Sequence, residues 1–301
     1  MNRRVITSDS DEWPASLSEL GGDSAPKKLF IEGLPLRGGD TAVAVVGTRR
    51  ATSAGIEAAS EIARGLAQAG FAVVSGLAVG VDTAAHKAAL AAGGYTVAVL
   101  GTGLDRDYPE RNAALRSEIA GKGTVVTEYP EGTPPFKANF PARNRIIVGL
   151  VKGVVVVEGG FRSGALITAR IALDENRTVW AVPGSVRNAM SAGPNELIRR
   201  GNAALVTEIE HIFEELSPSL VWKDKHESEP RAPILSQDEQ SVLFVLDDVG
   251  LSPDRVARRS GKSLGQVALC LSKLEVRGLV IRRVTGYEIT GTGAKVRAAL
   301  A

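Results

Sequence analysis

Cysteine is nearly missing from this chain: Cys270 stands alone among 301 residues. A single thiol excludes an internal disulfide and a cysteine-based zinc site. Lacking a disulfide framework, the chain suits a reducing compartment, and a cytoplasmic location is expected. Aromatic residues are few, at 5%, which argues against an all-β sandwich. Strong net charge is absent too. The balance is only +2, so bulk charge does not announce a nucleic-acid binder, and any such site must be a local cluster. The apolar runs are short and broken by glycine or charge, and none reaches the ~20 residues of a membrane span. Met1 to Ser10 is polar and basic with no apolar segment behind it, so no signal peptide is expected. What is abundant is apolar residue in general (44%) and glycine (33 residues). That combination suits a packed α/β protein with many close backbone approaches.

The chain reads in four parts. Residues 1–40 form a polar lead in which only Leu29-Phe30-Ile31 seeds a strand. From 41 to 216, short apolar runs alternate with helical periodicity. Val43–Val46, Phe71–Val74, Thr96–Leu100, Val125-Val126, Val154–Val157 and Val179–Val182 read as strands, with helices over about 53–69 and 79–91. The strands are apolar on both faces, the pattern of a parallel sheet covered by helices on each side. The expected fold is α/β: an extended Rossmann-like, doubly wound, mostly parallel sheet whose ligands sit at the carboxyl ends of the strands. Residues 217–235, with their mixed charge and prolines, read as a linker. Residues 236–301 predict three helices, at 237–247, 253–259 and 263–277, and a hairpin of Leu279–Ile281 with Tyr287–Ile289. That is a small winged-helix domain. Leu264, Val267, Leu271 and Leu274 line one face of the third helix, and cations near its start are few.

Four clusters carry chemistry. Gly47-Thr48-Arg49-Arg50 ends the first core strand; a tight turn at a helix start attracts phosphate, and an arginine adds a charged clamp. Its alternative is an ordinary turn with two solvated arginines. Ser75-Gly76 opens the second cluster, where Asp82 reads as a brace and His86 as a packed structural histidine. The third cluster, Lys137 to Arg145, is the most informative. It holds Lys137, Arg143 and Arg145, Phe140, and the amides Asn139 and Asn144, and no acidic residue lies between 132 and 157. Read as a loop, it leaves local positive charge unneutralised. Pro141 biases Phe140 to extended backbone, and a base stacked on that ring beside cations is how single strands are held. The alternative is a basic loop with Phe140 tucked into the core. The fourth cluster, Glu158 to Thr168, is similar to the Pro-Gly-Gly-x-Gly-Thr-x-x-Glu loop of nucleoside-monophosphate phosphoribohydrolases. Glu158 replaces the proline, however, and no carboxylate follows at the catalytic place. Gly261-Lys262-Ser263 lacks the earlier glycine of a P-loop and reads as a helix–helix turn. Asp105, Asp107 and Glu110 read as loop and capping residues, not a metal site.

Taken in order, Ala44–Arg49, Val74–Ala78, Gly101–Asp105, Phe140–Arg145, Arg162–Ala169 and Val182–Ser185 resemble the successive signatures of the DNA-processing protein A family, DprA or Smf. The resemblance covers about residues 28–216, and the tail is similar to the winged helix many members carry. It implies a non-enzymatic, cofactor-free, homodimeric protein. Such a protein binds single-stranded DNA and loads a RecA-type recombinase in natural transformation. It also implies that Thr48, Arg49, Ser75, Gly76, Lys137, Phe140, Arg143, Asn144, Arg145 and Gly164 line the DNA groove. Val79 stands where a cation is usual, and Pro194-Asn195 where Thr-Asn is usual. The lead is too short for the helical domain that precedes the core in many members. The competing readings are a nucleotide-hydrolysing Rossmann enzyme and a winged-helix transcription regulator.

Overall fold

The computed structural model describes residues 3–21, 24–216, 235–247, 250–283 and 286–300. Nearly all of the expected linker therefore lies outside the described residues. Two compact units divide at Leu220/Val221.

The first unit is a nine-stranded sheet. Its elements run β1 (Arg3–Thr7), α1 (Ala15–Ser18), β2 (Lys28–Gly33), β3 (Gly39–Val46), α2 (Ser53–Gln68), β4 (Ala72–Ser75), α3 (Val81–Ala91) and β5 (Thr96–Val99). They continue as α4 (Ala113–Lys122), β6 (Thr124–Thr127), α5 (Asn139–Gly149), β7 (Val151–Val156), α6 (Gly164–Asp174), β8 (Thr178–Ala181), α7 (Ala192–Arg199), β9 (Ala204–Leu205) and α8 (Glu210–Leu216). The strand order is β1-β2-β6-β5-β4-β3-β7-β8-β9. All pairings from β6 through to β9 are parallel; only β1–β2 and β2–β6 are antiparallel. The chain starts its parallel set at β3, walks outward one way through β4, β5 and β6, and then returns to β7 on the other side. The reversal lies between β3 and β7, where doubly wound sheets open a crevice.

The apolar runs explain the layering. Successive residues of β3 point to opposite faces: Ala42, Ala44 and Val46 join one core, Val43 and Val45 the other. The first core packs under α5 and α6 through Ile146, Ile147, Ala165 and Ala169. The second packs under α2 and α3 through Ile62, Leu66, Ala85 and Ala89. Both faces need apolar cover, which is why the strands show no polar alternation. α2 begins where Thr52 caps it, its hydroxyl accepting from the Gly55 amide at 3.1 Å. The lead is more structured than its sequence suggests. It adds β1 and β2 to the sheet edge and seals the first core with Leu17, Leu20, Leu29 and Ile31. β1 was missed because only Ile6 of its five residues is buried, too little for a periodic signal. Among the described residues no helix is long and apolar enough to cross a membrane.

The second unit has its own core of Val242, Leu243, Val256, Val267, Leu271 and Leu274. It comprises α9 (Gln237–Val245), α10 (Pro253–Ser260), α11 (Leu264–Val276), the antiparallel pair β10 (Val280–Arg283) and β11 (Gly286–Ile289), and α12 (Gly291–Leu300). Capping boxes start α9 (Ser236 with Glu239) and α11 (Ser263 with Gln266). Gly261, at φ +68°, ends α10 in the left-handed region, so Gly261-Lys262-Ser263 is the expected helix–helix turn. Leu264 departs from the expected stripe: as the first residue of α11 it is 51% exposed, short of the core that takes Val267, Leu271 and Leu274. α12 was not anticipated.

Candidate nucleic-acid interface

A crevice of about 730 Å³ opens at the carboxyl ends of the strands beside the reversal point. The β3–α2 loop supplies Gly47, Thr48, Arg49 and Arg50. The start of α5 supplies Lys137, Phe140 and Asn144, and the start of α6 supplies Arg162, Ser163 and Gly164. Gly47 is demanded by proximity: a Cβ there would meet Val81 of α3 at 2.5 Å. α6 presents its amino end to the crevice, with Ser163 as N-cap. Partial positive charge and unpaired amides at such an end favour an anion.

The amino end of α2 is different. The expectation that its amides hold phosphate fails because Glu158 is already there. Glu158 Oε2 accepts from the Thr52 amide at 2.9 Å and Oε1 from the Thr52 hydroxyl at 2.7 Å, and Asn188 Nδ2 donates to Oε1 at 3.2 Å. This buried carboxylate complements the helix end and fixes the loop above β7. With both oxygens committed it is no free base, which weakens the hydrolase reading further.

The third cluster is a helix start, not a loop. α5 begins at Asn139, so Phe140 is helical instead of extended. Pro141 is tolerated because it falls in the first turn, where amides lack intrahelical partners. Helical spacing then separates the three cations. Lys137 is exposed on the crevice. Arg145 leaves it and pairs with Glu128. Arg143, expected to hold a phosphate, is 5% exposed and committed to the protein. Its Nε donates to Asn144 Oδ1 at 3.1 Å and its Nη1 to the carbonyls of Gly76 (2.8 Å) and Val99. It also faces Asp82, which accepts from the amides of Gly76 and Ala78 at 3.1 and 3.2 Å. Burial lowers the Arg143 pKa to about 10, against the pull of Asp82. Burial likewise raises the Asp82 carboxyl, against Arg143. The guanidinium stays charged at neutral pH and ties α5 to the ends of β4 and β5. Gly76 is required beneath it, since a Cβ would lie 2.0 Å from Arg143 Nη2. The acid-free stretch of sequence was misleading because Asp82 and Glu128 arrive from elsewhere in the fold.

Phe140 is half-buried and already has neighbours. Its ring centroid lies 5.1 Å from that of Tyr108, tilted by 37°, and 5.7 Å from Arg49 Cζ. The arginine sits at cation–π distance. Tyr108, 38% exposed, lines the crevice. In the sequence Tyr108 stands among loop and capping residues, and only the fold brings it beside Phe140 of α5. Ser75 is not at the surface; its hydroxyl is fully buried and donates to the Val45 carbonyl at 2.7 Å. Asn195 clamps the loop after β8, accepting from the Gly184 amide at 3.1 Å and donating to its carbonyl at 2.9 Å. Pro194 occupies the first turn of α7, where a proline is harmless.

His86 is a packed structural residue. Thr96 Oγ1 donates to the Val73 carbonyl at 2.6 Å, so its lone pair faces His86 Nδ1, 2.7 Å away. Nδ1 therefore carries the proton, and Nε2 is a buried acceptor without a partner. Burial, helped by the charge of Arg143, lowers the pKa from 6.5 to about 3. The folded protein thus binds fewer protons than the unfolded chain between those values, and stability falls as pH drops below 6.5. The slope attributable to this ring approaches about 1.4 kcal/mol per pH unit; Asp82, shifted upward, opposes it. Urea melts at pH 6.5 and about pH 5 should show a smaller loss in His86→Leu than in the parent. Equal losses would show that the ring is not the source.

The comparisons agree with this architecture. The family model for DNA recombination-mediator protein A matches residues 4–217, and that for the DprA winged helix domain matches 226–285. The chain is 40% identical over 294 residues to Protein Smf of Escherichia coli, covering 95% of this chain and 77% of that one. The solved structure of DprA from Streptococcus pneumoniae aligns with TM-score 0.66 and 42% identity, over 71% of this chain and 74% of that one. A Helicobacter pylori structure, described for the single-stranded DNA binding mode of its DNA processing protein A, aligns with TM-score 0.62 and 30% identity. It covers 71% of this chain and 95% of that one. Signatures, sheet order and tail therefore converge: the chain belongs to the DNA recombination-mediator protein A family, the DprA or Smf proteins.

Proposed function

We propose that the crevice binds single-stranded DNA and that the protein hands the strand to a RecA-type recombinase during DNA uptake. The observation that carries the binding is the grouping of Arg49, Arg50, Lys137 and Arg162 around the Phe140–Tyr108 ring pair in one strand-end crevice. Cations track a backbone and rings take unstacked bases, a combination that holds a strand without base-specific readout. Among the described crevice residues the one carboxylate is Asp82, held by two amides and facing Arg143. No acid/base pair converges among the described crevice residues, which supports a non-enzymatic role. The binding core is residues 41–216, with 217–235 as linker and 236–301 as the winged-helix unit. Recombinase loading, homodimerisation and a cytoplasmic setting follow the family resemblance.

Fluorescence anisotropy tests the reading. Labelled oligo-dT should bind at least about tenfold tighter than duplex of the same length, about 1.4 kcal/mol. The log of its affinity should fall linearly with log salt. Equal binding of duplex, or a flat salt response, would overturn it.

A further inference from the structure

We propose that Glu32 and Arg116 are positioning residues for strand binding, a buried ion pair that fixes the loop carrying Tyr108; the inference rests on the strand-binding reading above. Tyr108 lines the crevice and meets Phe140, but its backbone belongs to the connection between β5 and α4, outside any helix or strand. A ring on such a segment has a defined place only if the segment itself is held.

The amino-terminal strands do the holding. Two guanidinium groups converge on the carbonyl of Leu104: Arg116 Nη2 of α4 donates at 2.5 Å and Arg3 Nη2 of β1 at 3.2 Å. Glu32 of β2 sits between them. Its Oε2 accepts from Arg116 Nη2 at 2.6 Å and lies 3.5 Å from Arg3 Nε. Arg116 Nε faces Asp107, the residue before Tyr108, whose Oδ1 is 3.7 Å away. Earlier in the same connection, the Gly103 amide donates to the Thr133 carbonyl at 3.1 Å, and Asp105 Oδ1 accepts from the Gly132 amide at 2.8 Å. The side chains of Glu32 and Arg116 are only 5% and 7% exposed, and neither residue lines the crevice.

The energetics separate positioning from adhesion. A buried ion pair gives up hydration on both sides, and apolar residues of similar volume often serve a fold as well or better. If α4 had only to adhere to β2, aliphatic side chains would suffice. They cannot hold a loop carbonyl, which needs a donor. A guanidinium carries several donors in one plane, so Arg116 reaches the Glu32 carboxylate and the Leu104 carbonyl at once. The loop is thereby fixed before a strand arrives, and little ordering accompanies binding. Strands β1 and β2, far from the crevice in sequence, thus set the place of one of its two rings.

The test uses the full chain and two labelled probes, oligo-dT and a strand of equal length built of abasic units. Tyr108→Ala sets the reference: it should weaken oligo-dT by about fivefold or more and spare the abasic strand. The double variant Glu32→Leu, Arg116→Met replaces the pair by apolar side chains. It should melt close to the parent, weaken oligo-dT by the Tyr108→Ala factor, and leave abasic binding and the salt slope unchanged. Introduced into Tyr108→Ala, it should add nothing, because both changes act through one ring. Arg3→Gln removes the second donor at a side chain 41% exposed, so the interior is untouched. It should weaken oligo-dT about twofold to threefold and again spare the abasic strand. If the double variant misfolds, Arg3→Gln decides alone. Oligo-dT affinity unchanged in these variants, losses that add to that of Tyr108→Ala, or equal weakening of both strands would assign the pair to the fold alone and overturn the proposal. Failure of the parent to bind either strand would instead overturn the strand-binding reading itself.

Discussion

Arg143→Ala is expected to destabilise the fold by about 3–5 kcal/mol, with loss of DNA binding following from the loss of structure. The side chain is 5% exposed and bonds the carbonyls of Gly76 and Val99 together with Asn144. Its removal leaves Asp82 as a buried charge without its counter-ion and empties the space against Gly76. Arg143→Lys keeps the charge but not the planar fork, so it should fall between parent and alanine variant. Adding Asp82→Asn to Arg143→Ala should recover part of the loss, because the orphaned charge is gone. Urea melts of the four proteins check this. An Arg143→Ala protein within about 1 kcal/mol of the parent, with only a flatter salt slope, would return Arg143 to the role of a phosphate contact.

The double variant Arg49→Ala, Lys137→Ala should lose oligo-dT affinity by about 3 kcal/mol or more, on the order of a hundredfold, from two charged contacts. Both side chains are exposed on the crevice, so the melting transition should hardly move. With about 0.7 ions released per neutralised phosphate on a single strand, the salt slope should flatten by about 1.4. Arg49 carries a further share, because it sits over the Phe140 ring, 5.7 Å from its centroid. Phe140→Ala should behave differently: a loss of about 1–3 kcal/mol with the salt slope almost unchanged. Parallel anisotropy titrations across salt separate the two. If the double variant binds with the parent's slope, the phosphates are held elsewhere.

The rest of the site divides by how its residues communicate. Gly47 and Arg49 follow β3, Lys137 and Phe140 lie in the connection after β6, and Gly164 lies in the connection after β7; their place in the crevice was legible because a doubly wound sheet brings strand ends together. Arg145 and Ser75 were placed wrongly for opposite reasons. Arg145 meets Glu128, 17 positions away. Ser75 is the last residue of β4 and its side chain points into the sheet. Tyr108 was missed because its value depends on a ring from α5 that only the fold brings near.

The sequence by itself determined the parallel sheet, its covering helices, the winged-helix unit and the family. These rest on local patterns: apolar runs on both strand faces, capping residues and ordered glycine motifs. Tertiary structure decided which charges are free. Asp82 reaches Arg143, Glu128 reaches Arg145 and Glu158 reaches the amino end of α2 across distances no spacing rule spans. Coulombic pairing acts through space, so the charge left for a ligand is known only after the chain has folded.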